Sequence, residues 1–135
     1  MADLFKTEVL TPDRKLLDTQ ASSVFIPASD GEVEVLANHC DFIGSLGQGI
    51  LTVNAEEGTH RFAISKGLFQ VINGSLNILS ASITTSKDIT LDLVDIKIEK
   101  LNKKLSETGI SKEDVQFLKD ELRYAQAQRK MLGGQ

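Results

Sequence analysis

The chain is poor in the residues that build metal and nucleophile sites: one cysteine and two histidines stand in 135 residues. A zinc or catalytic centre needs three or four converging ligands, so Cys40, His39 and His60 are too few, and no metal is expected. A lone cysteine excludes an internal disulfide and fits a reducing compartment. No stretch approaches the roughly 18 consecutive apolar residues of a membrane span. No charged-then-apolar leader opens the chain either, so a soluble, unexported protein without direct membrane insertion is expected. Basic patches interleaved with aromatics are also missing, which argues against nucleic acid. With no Walker-type phosphate loop and no convergent acid-base pair, catalysis by the chain itself is not expected.

What is present divides at Ser86. Residues 1–86 carry five basic and ten acidic side chains, a net charge of −5, whereas 87–135 carry ten and nine, a net charge of +1. Five of the six phenylalanines, seven of the ten glycines and both prolines lie in the first part. Two units are therefore expected, 1–86 and 87–135, and the length suits one domain with a small appendage.

The stretch from Pro27 to Gly44, PASDGEVEVLANHCDFIG, concentrates the signals of a docking edge. Asp30-Gly31 is a strong turn signal, because glycine takes positive φ freely and aspartate closes the turn with its side chain. Val33 and Val35 alternate with Glu32 and Glu34, the period of a strand with one wet face. Neighbours on a strand point to opposite faces, so His39 is not placed to activate Cys40. Cys40 is expected as a small buried core residue. His39 is expected as a hydrogen-bonded turn or strand-end residue, or as a partner contact.

Phe5 to Leu10, the turn Thr11-Pro12-Asp13 and Lys15-Leu16-Leu17 predict a hairpin. Ala21 to Pro27 reads as a strand with Val24 and Ile26 on one face and Phe25 on the other, ended by Pro27. Phe42, Ile43 and Leu46 are expected to add apolar mass. Gly49–Asn54, Thr59–Ser65 and Leu68–Ile72 read as three more strands, and Asn73-Gly74 as a tight hairpin turn. Leu76, Ile78, Ala81 and Ile83 continue in near alternation. About eight to ten short strands without an intervening helix predict an antiparallel β-sandwich or flattened barrel.

Beyond Ser86 the period changes. Leu91, Val94, Ile98, Leu101 and Leu105 fall on one helical stripe, with Glu99 and Lys103 spaced to pair on the wet face. Gly109 is expected to stop this helix as a left-handed cap, and Ser111 to start another with Asp114 three residues on. Val115, Leu118, Leu122 and Ala125 repeat the stripe. The short connection makes the two helices an antiparallel hairpin, too short to be stable alone, so it is expected to dock on its own sandwich or on a partner.

A sandwich of about 85 residues followed by such a hairpin resembles the epsilon subunit of the F-type rotary ATP synthase, called delta in mitochondria. The residues carrying the likeness are Val24-Phe25-Ile26-Pro27, Asp30-Gly31-Glu32-Val33, Val35-Leu36-Ala37-Asn38-His39 and Gly67-Leu68-Phe69-Gln70-Val71. Glu34 stands where the family commonly has Gly, Cys40-Asp41 where Ala-Pro is usual, and Gln48 where Pro often precedes a turn Gly. The resemblance implies a rotor subunit of the central stalk, peripheral on the cytoplasmic face of the energy-coupling membrane and monomeric when isolated. Its partners would be the gamma subunit and the c-ring loops. Carried over by position, Glu32 with Asp30 and Gly31 falls on the turn facing the ring, and His39 on the edge near gamma.

The resemblance further implies that the hairpin acts as a brake on ATP hydrolysis by extending toward the alpha and beta catalytic subunits. Lys119, Arg123, Arg129 and Lys130 are this chain's candidates for those contacts. Some bacterial members bind ATP through an Ile/Leu-Asp-x-x-Arg-Ala opening. Here Ile89-Thr90-Leu91-Asp92-Leu93-Val94 lacks that arginine, and the shifted register puts Asp95 in its place, so no ATP or other cofactor is expected. The alternative reading is a free-standing small-molecule sensor, or a scaffold dimerising through the hairpin.

Overall fold

A computed structural model describes residues 3–133. Nine strands precede two helices: β1 (Phe5–Leu10), β2 (Lys15–Ala28), β3 (Gly31–Leu36), β4 (Phe42–Leu46), β5 (Gly49–Ala55), β6 (Gly58–Ile64), β7 (Gly67–Ile72), β8 (Ser75–Ser80), β9 (Ile83–Thr84), α1 (Leu91–Leu105) and α2 (Lys112–Gly133). This is the β-sandwich followed by a helical hairpin that the patterning predicts. All ladders are antiparallel except β1 with β8, which is parallel.

β2 runs for 14 residues and serves both layers. Its first half pairs with β1, and its second half lies between β3 and β5, with a register shift between Ala21 and Ser23 where it changes partner. Two predicted strands are thus one. Pro27 does not end it: Pro27 pairs with Glu32, and Ala28 with Gly31. The proline is tolerated because its main chain faces away from β3, beyond the last β5 pairing at Phe25 and Thr52, and its carbonyl accepts the Gly47 N–H at 2.7 Å.

Alternating inward residues fill the space between the layers, with Val9, Val24, Ile26, Leu51, Val53, Leu76 and Ile78 fully buried. Asn73 and Gly74 take positive φ, 51° and 78°, and join β7 to β8 as the tight turn expected of that dipeptide.

Thr90 caps α1, its hydroxyl accepting the Leu93 N–H, and Ser111 caps α2 by accepting from Asp114 N–H at 3.1 Å. α1 ends at Leu105, where the Ser106 N–H returns to Asn102 and Lys103 carbonyls. Gly109, with φ of 83°, shapes the connecting turn three residues later and is not the helix stop itself. Glu99 and Lys103 form no ion pair among the described residues. The hairpin's ions pair across it: Arg129 Nε donates to Asp95 at 2.7 Å and Lys97 lies 3.7 Å from Glu121.

The hairpin docks on its own sandwich. Tyr124, Ala127 and Met131 of α2 pack on Ala63 of β6 and half-buried Ile50 of β5. These residues fall on a second stripe of α2, turned from the Leu118 and Ala125 stripe, and α2 also packs along α1.

Candidate docking surfaces

Asp30, Gly31 and Glu32 form the tip of the β2–β3 hairpin, all exposed, with Gly31 at φ 135°. His39 lies past the opposite end of β3. A six-residue strand spans about 20 Å, so the structure does not bring Glu32 and His39 into one patch. His39 is half-buried, its Nδ1 lying 2.8 Å from the Cys40 carbonyl oxygen and its ring edge-on to Phe42 at 6.3 Å.

Cys40 is exposed, contrary to its expected place in the core. Asn38 takes φ of 67°, which turns the chain off the end of β3, so residues 39–41 follow a loop and the alternation of the strand no longer applies. Strand geometry therefore does not hold the His39 and Cys40 side chains on opposite faces. Asp41 anchors this loop by accepting the Asn73 N–H at 3.0 Å.

Of the apolar mass expected from Phe42, Ile43 and Leu46, the first two are exposed, while Leu46 of the same strand is buried. Phe42 stands opposite inward-facing Val71 and packs on Phe69 at the rim of the core, whereas Ile43 faces out and belongs to a larger surface. On β7, Phe69 and Val71 face inward, so Leu68, Gln70 and Ile72 face out. Leu68 stands directly opposite Leu79 of β8, and Ile43 opposite Gln70, diagonal to both Leu68 and Ile72. Ile43 is 64 % exposed and Leu68 54 %, so with Ile72 and Leu79 four apolar side chains stand on this outer face among Ser45, Gln70 and Asn77. Exposed apolar side chains gathered on one face make a candidate interaction surface. The sequence carried its signal in strands apolar on both faces: Phe42-Ile43, Leu68-Phe69, Val71-Ile72 and Ile78-Leu79.

The four cations of α2 divide. Lys119, Arg123 and Lys130 step by four and seven and share one helix face, all exposed. Arg129 stands on the flank toward α1, held by Asp95. Arg123 also lies 3.7 Å from Asp120. Arg123 and Lys130, with Gln126, line a cleft of about 410 Å³ whose other wall is the turn bearing Gly31 and Glu32. The fold therefore sets two of the predicted hairpin cations across from the predicted ring-facing turn.

The molecule is a β-sandwich with exposed apolar side chains on one outer face and a helical hairpin packed on the outer side of β5 and β6. The family model described as ATP synthase, Delta/Epsilon chain, beta-sandwich domain, matches residues 4–86. The ATP synthase epsilon chain of Sinorhizobium fredii is 31% identical over 106 residues, covering 78% of this chain and 79% of that one. Its counterpart from Clostridium botulinum strain Alaska E43 is 32% identical over 108 residues, covering 79% and 81%. That of Hyphomonas neptunium is 28% identical across 98% of both chains. The chain belongs to the ATP synthase delta/epsilon family and is a non-catalytic subunit of that complex.

The fold likeness extends to solved assemblies. A chain of the Euglena gracilis mitochondrial ATP synthase, OSCP/F1/c-ring in rotational state 1, superposes with a TM-score of 0.81 at 20% identity, covering 94% of this chain and 80% of that one. A chain of the Tetrahymena thermophila mitochondrial ATP synthase central stalk/c-ring gives 0.57 at 10% identity, covering 99% and 98%.

Proposed function

We propose that this subunit is a rotor adaptor of the central stalk, seated on gamma through the outer face of β4, β7 and β8 and on the c-ring loops through the Asp30-Gly31-Glu32 turn. The observation that carries the reading is the apolar outer face itself: Ile43, Leu68, Ile72 and Leu79 are side chains that a freely solvated sandwich would not present together. Membership of the ATP synthase delta/epsilon family supports a stalk partner for that face. No helix among the described residues is long and apolar enough to cross a membrane. The adaptor reading places the subunit on the cytoplasmic face of the energy-coupling membrane, held through its partners, and makes the isolated chain a monomer. His39, past the far end of β3, belongs to the gamma side in this reading.

The hairpin, in the same reading, restrains ATP hydrolysis. Lys119, Arg123 and Lys130 present one cationic face for the acidic segments of the catalytic subunits, and Arg129 joins them only when its ion pair with Asp95 opens. ATP finds no site between the helices: Asp95 stands where ATP-binding relatives of the resembled type have arginine, and its carboxylate repels phosphate while occupying Arg129. Calorimetry with ATP is expected to give no heat of binding, and a millimolar or tighter affinity contradicts this.

The test of the whole reading is titration of the chain into ATPase depleted of this subunit. Hydrolysis is expected to fall on binding, and neutralising the four cations together to relieve the fall without loss of binding. Inhibition unchanged by those substitutions removes them from the mechanism.

A further inference from the structure

Where the hairpin meets the sandwich, the joint is narrow and unusually polar at its centre. Its apolar part is Tyr124, Ala127 and Met131 against Ala63 and Ile50. Set into it are the side chains of Thr84, Tyr124 and Gln128, each more than nine-tenths buried. Thr84 Oγ1 lies 2.6 Å from the Tyr124 hydroxyl and accepts the Gln128 Nε2–H at 2.8 Å. Thr84 is the last residue of β9, held by pairing with Ala63, and the chain leaves the sandwich for α1 just after it. Among the described residues no buried side-chain nitrogen or oxygen is left without a partner.

We propose that Thr84, Tyr124 and Gln128 form a releasable polar latch that holds α2 on the sandwich, with the Thr84 hydroxyl as its hub. A joint built for permanence gains more from apolar contact at this depth. Hydrogen bonds exchanged for bonds to water add little net stability, whereas breaking one partner and leaving the others buried is costly. Such a trio therefore opens as a unit: either all three groups are paired on the sandwich, or all three are wet and the helix is free. The proposal deepens the reading of the hairpin as a brake, which needs α2 to leave the sandwich.

Amide hydrogen exchange of α2 in the isolated full chain tests the latch asymmetrically. Thr84→Val takes from the buried Tyr124 hydroxyl and Gln128 amide the partner they share on the sandwich, and is expected to speed exchange in α2 about tenfold. Thr84→Ser keeps the hub and is expected to exchange like the parent. The triple variant Thr84→Val, Tyr124→Phe, Gln128→Leu replaces all partners by apolar groups of similar shape, and is expected to exchange as slowly as the parent or more slowly. Unchanged exchange in Thr84→Val, or a triple variant as fast as the single one, overturns the latch. Equal acceleration in the β5 amides of Leu51 and Val53 also overturns it, since the whole chain would then be opening. The same variants titrated into subunit-depleted ATPase separate the two ideas: exchange that follows the latch while inhibition does not leaves the latch standing and removes the brake.

Discussion

Gly67 shows how one backbone position sets the docking face. It pairs with Ser80 across the β7–β8 ladder, and a Cβ there would run into the Leu79 carbonyl oxygen and lie 2.9 Å from the Ser80 Cα. Neither neighbour is a flexible side-chain tip, so backbone must shift. Gly67→Ala is expected to cost about 1–3 kcal/mol, read as a lower denaturation midpoint. An unchanged midpoint would contradict the close approach.

Tyr124, the chain's single tyrosine, offers a second residue-scale reading. Burial disfavours its phenolate and raises its pKa above the ordinary tyrosine value of 10.0, with the hydrogen bonds to Thr84 and Gln128 opposing that shift. Because the folded value is the raised one, the stability from neutral, docked Tyr124 is full below the unfolded value and is lost as pH rises through the folded one. Tyrosinate absorbance is expected to appear above pH 10 in the parent chain, and at the ordinary value in an undocked Met131→Asp variant. Coincident titrations would contradict docking through Tyr124. At this scale the sequence was least legible. Cys40 and Phe42 sit where a single αL residue, Asn38, redirects the chain, and spacing alone does not reveal a reorientation of that kind.

Among the elements, those with strong periodicity were readable: nine strands lie within the predicted range, the Asn73-Gly74 turn forms, and Ser111 caps its helix. β2 was not readable as one strand, since only the tertiary pairing shows that the proline's missing N–H falls where β5 has already diverged. The docking stripe of α2 was missed because Tyr124, Gln128 and Met131 mix polar with apolar and are interleaved with the cleaner stripe toward α1. The cross-hairpin pair also belongs here. Asp95 and Arg129 are both about half exposed, so their coupling in a double-mutant cycle is expected near 0.5 kcal/mol. The charge-reversed pair Asp95→Arg, Arg129→Asp should recover most of what either single reversal loses. Additive losses in that cycle would show that the pair does not clasp the hairpin.

For the molecule as a whole, family membership and architecture agree: a non-catalytic sandwich subunit with its hairpin packed on the outer side of β5 and β6. The family was legible from the Gly31-Glu32 turn and the strands flanking it. The apolar outer face, which carries the functional proposal, was legible only as strands with too little polar alternation, because the sequence does not say which layer a strand joins. The most direct measurement is a calorimetric titration of the chain with the gamma subunit from the same genome, beside an Ile43→Asp, Leu68→Asp variant. Both side chains face solvent, so the variant should fold as the parent does. Saturable binding at micromolar concentration or tighter by the parent, weakened at least about tenfold in the variant, is the predicted result. No binding by the parent at micromolar concentration, or equal binding by both chains, would contradict the account.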